Sequence, residues 1–339
     1  MVKRCAANSS REFSANRFAE FLSASWGRRA PFLAGIDITA YRLIDGFGDH
    51  VPGVYLDRYG PAAVMNVHDS AGLPQATVTA AARATLDILA SAGIEAVYVK
   101  PFARDRSRMG GQSPGESRSA QPRVGRIQPE SLVVREYDTH FEVRLYDGFS
   151  TGLFLDQREH RRALAQRRPT RALNLFAYTC AFSVPLAAAG TRVTNVDVSA
   201  RYLEWGKRNL ALNGLADSAT RFIRMGVFEY LAYAARHPEE RFDLVILDPP
   251  TFAAGDRRRG VKTWKALDDY PALLQAALRV LAPGGSVFAA SNTRELAVDG
   301  ALAHLVTKVL RSAPDWHTLP PWPVDFTEPG RGAAVMFTP

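Results

Sequence analysis

The chain has little cysteine, with only Cys5 and Cys180 among its 339 residues. Two cysteines without metal-type spacing exclude a disulfide-stabilised scaffold and a zinc site. No apolar run is long enough to span a bilayer, and no signal-peptide core is present. We therefore expect a cytoplasmic protein with no membrane partner. The Arg- and Ser-containing first thirty residues leave a transit peptide as an alternative.

The length and composition favour a folded chain with real hydrophobic cores. Hydrophobic residues make up 47% of the sequence, and the length suits one large domain with a smaller one beside it. The formal net charge is +8, and the cations are unevenly spread. An uneven basic charge points to an anionic partner such as nucleic acid.

Five short apolar strands alternate with helices in the second half of the chain. We predict strands over 171–176, 192–196, 220–224, 242–247 and 286–290, with helices between them. The last of these helices is predicted over 267–281 and stops at Pro283-Gly284-Gly285. This alternation indicates a doubly wound parallel sheet. Ligands of such sheets bind at the carboxyl ends of the strands, near the point where the strand order reverses.

Asp197 follows the second strand, where a carboxylate can accept hydrogen bonds from ribose hydroxyls. The turn after the first strand, Phe176 to Ala181, contains no glycine. A dinucleotide enzyme needs glycines there so that the backbone can approach a pyrophosphate. A nucleoside ligand without phosphate, such as S-adenosylmethionine, fits this turn better.

An Asp-Pro-Pro-Thr-Phe turn, residues 248–252, ends the fourth strand. Neither proline has an N–H to donate, so the two prolines stop the strand ladder. They also hold Asp248 extended. The result is a stiff ledge that can grip an amine and stack an aromatic ring on Phe252.

Four strings resemble, in order and spacing, the S-adenosylmethionine-dependent methyltransferases that modify large-subunit ribosomal RNA. They are TGLFLDQR (151–158), LNLFAYT (173–179), NVD (195–197) and DPPTF (248–252). The string GVYLDRYG (53–60) is similar to the small domain that precedes the catalytic one in these proteins. The resemblance covers most of the chain from Tyr41 onward, and similar members include 5-methylcytosine enzymes and guanine-methylating domains.

The resemblance implies a cofactor, S-adenosyl-L-methionine, and a set of site residues. The implied cofactor contacts are Asp156, Arg158, Asn174, Phe176, Ala177, Tyr178, Thr179, Asp197, Val198, Gly226, Val227 and Asp248. The implied catalytic residues are Asp248, Pro249, Phe252 and Asn292. In the family, Asp156 and Arg158 would face the methionine end, where an Arg fork can pair a carboxylate.

Three departures from the family pattern qualify the function. The turn Ala290-Ser291-Asn292-Thr293 lacks the nucleophilic Cys of the 5-methylcytosine enzymes, so we expect transfer to a nitrogen. Met225-Gly226 stands where the family often has an acidic residue on the adenine amine. The forty residues before the small domain are too few for the RNA-binding module that commonly precedes it.

Two basic segments, Arg104–Arg126 and Arg257–Lys265, are expected to bind RNA, most simply ribosomal RNA. The arginines at 161, 162, 167 and 168 fit either an RNA contact or a solvated face. Two other functions stay open: methylation of a small molecule or protein, and a non-catalytic nucleic-acid-binding relative. The oligomeric state is also open, a homodimer included.

The expected architecture has three parts. Residues 1–40 form an N-terminal extension, and 41–150 form a small α+β domain with a basic loop at 104–128. Residues 151–339 form the cofactor-binding, Rossmann-like methyltransferase domain.

Overall fold

The computed structural model describes residues 14–102, 118–148, 150–255, 261–298, 300–330 and 332–339. The chain forms two compact units that interleave along the sequence. Unit one comprises the described parts of Met1–Tyr137, Val143–Thr151 and Val324–Glu328; unit two comprises those of Asp138–Glu142, Gly152–Pro323 and Pro329–Pro339. The predicted domain limits at residues 40 and 150 stay predictions.

Unit one is an α+β body. Its elements are α1 (Ala15–Leu33), β1 (Ala40–Asp45), β2 (Val54–Tyr59), β3 (Ala62–His68), α2 (Gln75–Leu89), β4 (Ala96–Phe102), β5 (Val124–Gly125) and β6 (Leu132–Glu136). Strands β1 to β5 form one sheet in chain order. The β3–β4 pair is parallel, because α2 supplies the crossover between them; the other pairs are antiparallel. Both helices contribute to its core, with Phe18 and Leu22 from α1 and Val78 from α2.

The segment Val324–Glu328 belongs to unit one through backbone hydrogen bonds to buried charged side chains. Asp45 Oδ2 accepts from the N–H groups of Thr327 and Glu328 at 2.6 and 2.7 Å. Arg29 donates from Nη2 to the Asp325 carbonyl at 2.8 Å. Late chain residues are thus fixed into a body built mostly from early ones.

Unit two carries the remaining elements. Its strands are β7 (Thr139–Val143), β8 (Arg171–Leu175), β9 (Arg192–Asp197), β10 (Arg221–Arg224), β11 (Phe242–Leu247), β12 (Phe252–Ala253), β13 (Trp264–Lys265), β14 (Leu281–Ser291), β15 (Asp315–His317) and β16 (Ala333–Thr338). Its helices are α3 (Arg158–Gln166), α4 (Ser183–Ala188), α5 (Ala200–Ala211), α6 (Val227–Ala235), α7 (Ala266–Leu278), α8 (Arg294–Ala297) and α9 (Ala301–Leu310).

Seven of these strands form one sheet in the order β10-β9-β8-β11-β14-β16-β15. The first five are parallel, and β16 joins β14 antiparallel. The chain runs outward from β8 to β10 and then returns to β11 on the other side of β8. The strand order therefore reverses between β8 and β11, which is where ligands of such sheets bind.

The helices cover the sheet because its strands are apolar on both faces. Leu173 and Val245 are fully buried on one face, and Ala172 and Ile246 are fully buried on the other. Residue-pair register along β8, β9 and β11 is continuous, so their carboxyl ends stand level. The predicted doubly wound parallel arrangement is what the strands form.

The fifth predicted strand is longer than expected. It begins at Leu281, which pairs with Phe242, and the register shifts before Leu244 pairs with Ser286. The Pro283-Gly284-Gly285 string is therefore an irregularity within β14, where we expected the end of a helix. Helix α7 accordingly ends at Leu278 rather than Leu281. Across the described residues, no helix has the length and apolar character required to cross a membrane.

Candidate active site

The carboxyl edge of the parallel strands gathers most of the predicted site residues. The turn 176–180 follows β8, and Asp197 ends β9. Asp248 follows β11, and Asn292 follows β14. Because parallel neighbours end on the same side of a sheet, the topology brings these four places to one edge.

The turn after β8 has an unusual backbone. Phe176, Tyr178 and Cys180 have φ angles of 55°, 48° and 59°, in the left-handed region that favours glycine. The conformation is held from outside, since the Ala177 N–H donates to the Val196 carbonyl at 3.1 Å. Bulky residues persist in this region only where surrounding structure fixes them, a pattern common at ligand sites.

Asp197 is one of the groups that fix this turn. Its Oδ2 accepts from the Tyr178 N–H at 2.9 Å, and its Oδ1 accepts from the Ser199 N–H at 2.8 Å. Burial raises the pKa of Asp197, and these backbone hydrogen bonds oppose the rise. Each carboxylate oxygen has a second lone pair, so the side chain can still accept from a diol.

Asn174 occupies a different environment from the other predicted cofactor contacts. Its side chain is buried, and its Nδ2 donates to Ser183 Oγ at 3.0 Å and to Asn195 Oδ1 at 3.1 Å. Asn174 and Asn195 are register partners in β8 and β9. The amide therefore ties together the two strands whose ends carry the turn and Asp197.

Aromatic rings surround the turn. The Tyr178 ring lies 4.4 Å from that of Tyr202 and 5.6 Å from that of Phe154, measured between centroids. Val198 is exposed, and Gly226 is the residue before α6, whose first residue is Val227. These groups offer an apolar lining between the ends of β9 and β10.

Residues 156–161 supply charged side chains to the start of α3. Arg158 is only 2% exposed, and its Nε lies 3.2 Å from Glu159 Oε1. Arg161 is equally buried and donates to the Phe154 carbonyl at 2.9 Å. A solvated role for Arg161 is therefore wrong, because folding removes its side chain from water. Arg162, Arg167 and Arg168 are exposed.

Asp248 is the most perturbed carboxylate of this edge. Its pKa is raised from 3.8 to about 7; burial is the largest cause, Asp156 adds to the rise, and Arg161 opposes it. Although the side chain keeps some exposure at the edge, it is surrounded by low-dielectric protein. A carboxyl group poised near neutral pH can exchange a proton with a substrate.

The ledge after Asp248 is rigid, as the two prolines predict. The Pro250 carbonyl accepts from Trp264 Nε1 at 2.7 Å, and the Thr251 carbonyl accepts from the Ala266 N–H at 3.0 Å. Phe252 pairs with Lys265 in the short β12–β13 ladder. These bonds fix the ledge from its far side.

Phe252 and Asn292 are presented outward from this ledge. The Phe252 side chain is 59% exposed, an uncommon state for a phenylalanine in a well-formed turn. Asn292 is also exposed, and its Oδ1 accepts from Thr251 Oγ1 at 2.8 Å. This bond orients the Asn292 amide so that its Nδ2 remains a donor.

Neither cysteine offers a nucleophile within the described structure. Cys180 is fully buried, and burial raises its thiol pKa well above the ordinary value. Cys5 lies outside the described residues. The described ranges contain no group of three or more His, Cys, Asp or Glu side chains that could hold a metal ion.

Much of the two basic segments falls outside the described residues, namely Arg104 to 117 and Arg257 to 260. Lys262 and Lys265 are described and exposed. In unit one, Arg126 forms an ion pair with Glu95, and Arg123 donates to Gln75 Oε1 at 2.9 Å. The side chains of these two arginines are therefore already bonded to other side chains of unit one.

Three contributors to the site were missed by sequence reasoning. Trp264 anchors the ledge through its indole N–H, and Tyr202 packs on Tyr178. Arg161 lowers the pKa of Asp248. Tyr202 and Trp264 lie several residues beyond the motifs, so no motif includes them. The only signal in the sequence is their position, Tyr202 within α5 and Trp264 just before α7.

This edge suits a ligand with a diol and an aromatic base but no phosphate. Asp197 suits the diol, the aromatic lining suits the base, and the glycine-free turn is unsuited to a pyrophosphate. With a second carboxylate at the reversal of strand order, these features are those expected of an α/β transferase that uses S-adenosylmethionine. Residues 71–327 match the S-adenosylmethionine-dependent methyltransferase family, and the chain belongs to it.

Individual relatives of the chain are also named as methyltransferases. The chain is 32% identical over 310 residues to a ribosomal RNA large subunit methyltransferase of Deinococcus radiodurans, covering 89% of this chain and 72% of that one. It resembles SMU.776, a methyltransferase solved with SAH, at a TM-score of 0.81 and 25% identity, covering 99% and 83% of the two chains. A methyltransferase structure from Streptococcus mutans matches at a TM-score of 0.79 and 25% identity, covering 99% of this chain and 82% of that one.

The predicted fold class, enzyme class and cofactor are confirmed by these matches. The individual site residues remain predictions, which the geometry above supports to different degrees. When bound, S-adenosylmethionine supplies an electrophilic methyl group on a sulfonium.

Proposed function

We propose that this methyltransferase modifies a nitrogen of a base in RNA, and that the RNA is ribosomal. The observation that carries the proposal is the outward Phe252 ring, on the same turn as a half-buried carboxyl group whose pKa is raised to about 7. A target base taken out of its stack can lie on such a ring. The similarity to a protein named as a ribosomal RNA methyltransferase supports the choice of RNA.

The residues of the ledge have separate proposed roles. Asp248 and the Pro249 carbonyl accept hydrogen bonds from the amine of the base, and Phe252 stacks on its ring. Asn292 donates from Nδ2 to the base edge, since its Oδ1 is engaged by Thr251. As the amine nitrogen accepts the methyl group, its proton passes to the Asp248 carboxylate.

Proposed cofactor contacts divide between the two sides of the turn. Asp197 accepts from the ribose hydroxyls, and Val198, Gly226 and Val227 border the adenine. The backbone of the turn, residues 176–179, approaches the cofactor, while Asp156 and Arg158 lie toward its methionine end. Asn174 contributes indirectly, because its amide bonds the two strands together.

Nitrogen is favoured over carbon because carbon-5 methylation of a pyrimidine needs a thiolate. The turn after β14 has no cysteine, and Cys180 is buried. The lone pair on the exocyclic amine of a base is delocalised into the ring. Hydrogen bonds from the amine to the Asp248 carboxylate and the Pro249 carbonyl would localise it on nitrogen, so this acceptor needs no thiolate. Positioning then supplies most of the rate enhancement.

Exposed cations at the same edge support a polyanionic substrate. Arg224 ends β10, Arg294 begins α8, and Lys262 and Lys265 flank the ledge; all four are exposed. Phosphate contacts by such groups give salt-sensitive affinity. Arg257, Arg258 and Arg259 extend this charge in sequence. An rRNA substrate would place the enzyme with the ribosomes, in the cytoplasm.

Methylation of ribosomal RNA from a strain that lacks this protein tests the proposal. The purified enzyme and isotopically labelled S-adenosylmethionine should label one base, which mass mapping of nuclease fragments identifies as N-methylated. Asp248→Asn serves as the inactive control. Label at carbon-5, or label entering only protein or small molecules from the same extract, would overturn it.

Sedimentation of the same sample distinguishes a monomer from a homodimer.

A further inference from the structure

Trp205, Asn209 and Asn213 follow one another as a row at four-residue spacing; the first two lie in helix α5, and Asn213 lies in the turn that follows its last residue, Ala211. Trp205 and Asn209 therefore share one face of the helix. All three side chains contact the backbone of strand β7. Asn213 Oδ1 accepts from the His140 N–H at 2.8 Å, and Asn213 Nδ2 donates to the His140 carbonyl at 2.8 Å.

The other two side chains bind the backbone of the next residue on that side of β7. Trp205 Nε1 donates to the Glu142 carbonyl at 3.1 Å, and Asn209 Oδ1 accepts from the Glu142 N–H at 2.8 Å. These side chains thus satisfy backbone N–H and C=O groups of β7 that a neighbouring strand would otherwise pair.

Asn209 differs from its neighbours in the row because its amide also contacts the cofactor turn. Its Nδ2 donates to the carbonyl of Thr179, in the cofactor turn, at 2.9 Å. Thr179 Oγ1 in turn donates to the Gly152 carbonyl at 2.6 Å. Asn209 is fully buried, so water cannot replace either of its bonds.

We propose that Asn209 is a positioning residue for S-adenosylmethionine. Thr179 stands between Tyr178 and Cys180, two residues with left-handed φ angles, and such backbone needs restraint from outside. Asp197 supplies the restraint on one side of the turn, through the Tyr178 N–H. Asn209 supplies it on the other, and the same amide couples the turn to Glu142.

An amide is the group this position requires. It must accept from one backbone N–H and donate to one backbone carbonyl at the same time. A carboxylate of the same shape keeps the acceptor but loses the donor and faces the Thr179 carbonyl with negative charge. The substitution Asn209→Asp therefore breaks the contact to the turn with little change in volume.

Asn213→Asp is the matched control. It removes an amide donor of the same row, half-buried just past the end of the helix, but Asn213 bonds β7 and the Asn209 carbonyl rather than the cofactor turn. Titration calorimetry of both variants with S-adenosylmethionine should give at least a tenfold weaker Kd for Asn209→Asp. The control should stay within twofold of the unmodified protein, although both variants lower Tm.

The saturated enzyme should retain most of its kcat in Asn209→Asp, because the defect lies in holding the donor. Cofactor affinity within twofold of normal for Asn209→Asp, or an equal loss in Asn213→Asp, would reduce Asn209 to an ordinary buried polar residue.

Hydrogen exchange of the unmodified protein tests the same coupling, should the variant fail to fold. Saturating S-adenosylhomocysteine should slow exchange of the Glu142 amide, which donates to Asn209, at least fivefold more than that of the His140 amide, which donates to Asn213. Equal changes at both amides would contradict the proposal.

Discussion

A β-carbon on Gly206 would lie 2.3 Å from Cys180 Sγ and 2.9 Å from Cys180 Cβ. Gly206 is in the middle of α5, where glycine is intrinsically unfavourable. Its presence there allows the helix to approach the cofactor turn. The thiol of Cys180 fills the space that the missing side chain leaves.

The substitution Gly206→Ala should therefore lower the free energy of unfolding by about 1–3 kcal/mol, despite the better helix propensity of alanine. Denaturant unfolding measures this change. Cys180→Gly in the same chain should recover most of the loss, because glycine adopts φ near 59° without strain and removes both clashing atoms. Additive effects of the two substitutions would show that the contact is not responsible.

Asp197→Ala should weaken S-adenosylmethionine binding by about 1.5–3 kcal/mol, the scale of hydrogen bonds to a charged group. The variant loses the proposed acceptor of the ribose hydroxyls and also the bond that holds the Tyr178 N–H. Calorimetry should show a roughly ten- to hundredfold higher Kd. The surface variant Asp217→Ala controls for loss of negative charge; normal affinity in Asp197→Ala would remove this carboxylate from the site.

The double variant Cys5→Ser, Cys180→Ala should continue to methylate RNA, since the proposed transfer to nitrogen uses no thiolate. The unmodified protein should also form no covalent adduct with RNA that contains 5-fluorocytosine. Denaturing electrophoresis detects such an adduct. A trapped complex through either cysteine would replace nitrogen with carbon-5 as the acceptor.

Sequence reasoning predicted the five parallel strands because they contain short apolar runs separated by clear turn residues. It did not predict β16 and β15, which extend the sheet beyond β14 through antiparallel pairs. The Asp-Pro-Pro turn indicated a stiff ledge, and the structure adds the indole of Trp264 that braces it. The left-handed backbone of Phe176, Tyr178 and Cys180 could not be foreseen, because no glycine marks it.

Burial and long-range contacts account for the other features that sequence reasoning did not predict. Arg161 reads as a surface charge in its string of arginines, yet packing of α3 removes it from water. The bridge from Glu142 through Asn209 to Thr179 joins three separated parts of the sequence. Such contacts depend on tertiary structure, which local periodicity does not encode.

Asp248 should set the lower limb of the pH–rate profile. Its pKa in the folded chain, about 7, lies above the ordinary 3.8 because burial disfavours the charge. If the carboxylate receives the amine proton, kcat/KM should rise with pH up to an apparent pKa near 7 and level off above it. Asp248→Asn should abolish turnover while leaving the Kd of S-adenosylmethionine within about threefold.

The same shift predicts how stability depends on pH. A carboxyl group whose pKa is raised by folding contributes its full stability when the pH is below its pKa in the unfolded chain. That contribution is lost as the pH rises through its pKa in the folded chain. The unmodified protein should therefore lose stability relative to Asp248→Asn between about pH 4 and pH 8, by roughly 2–4 kcal/mol. Denaturant unfolding at both pH values measures the difference. A constant difference across this range would show that Asp248 ionises as an ordinary carboxylate, and the proposed proton acceptor would then have to be another group.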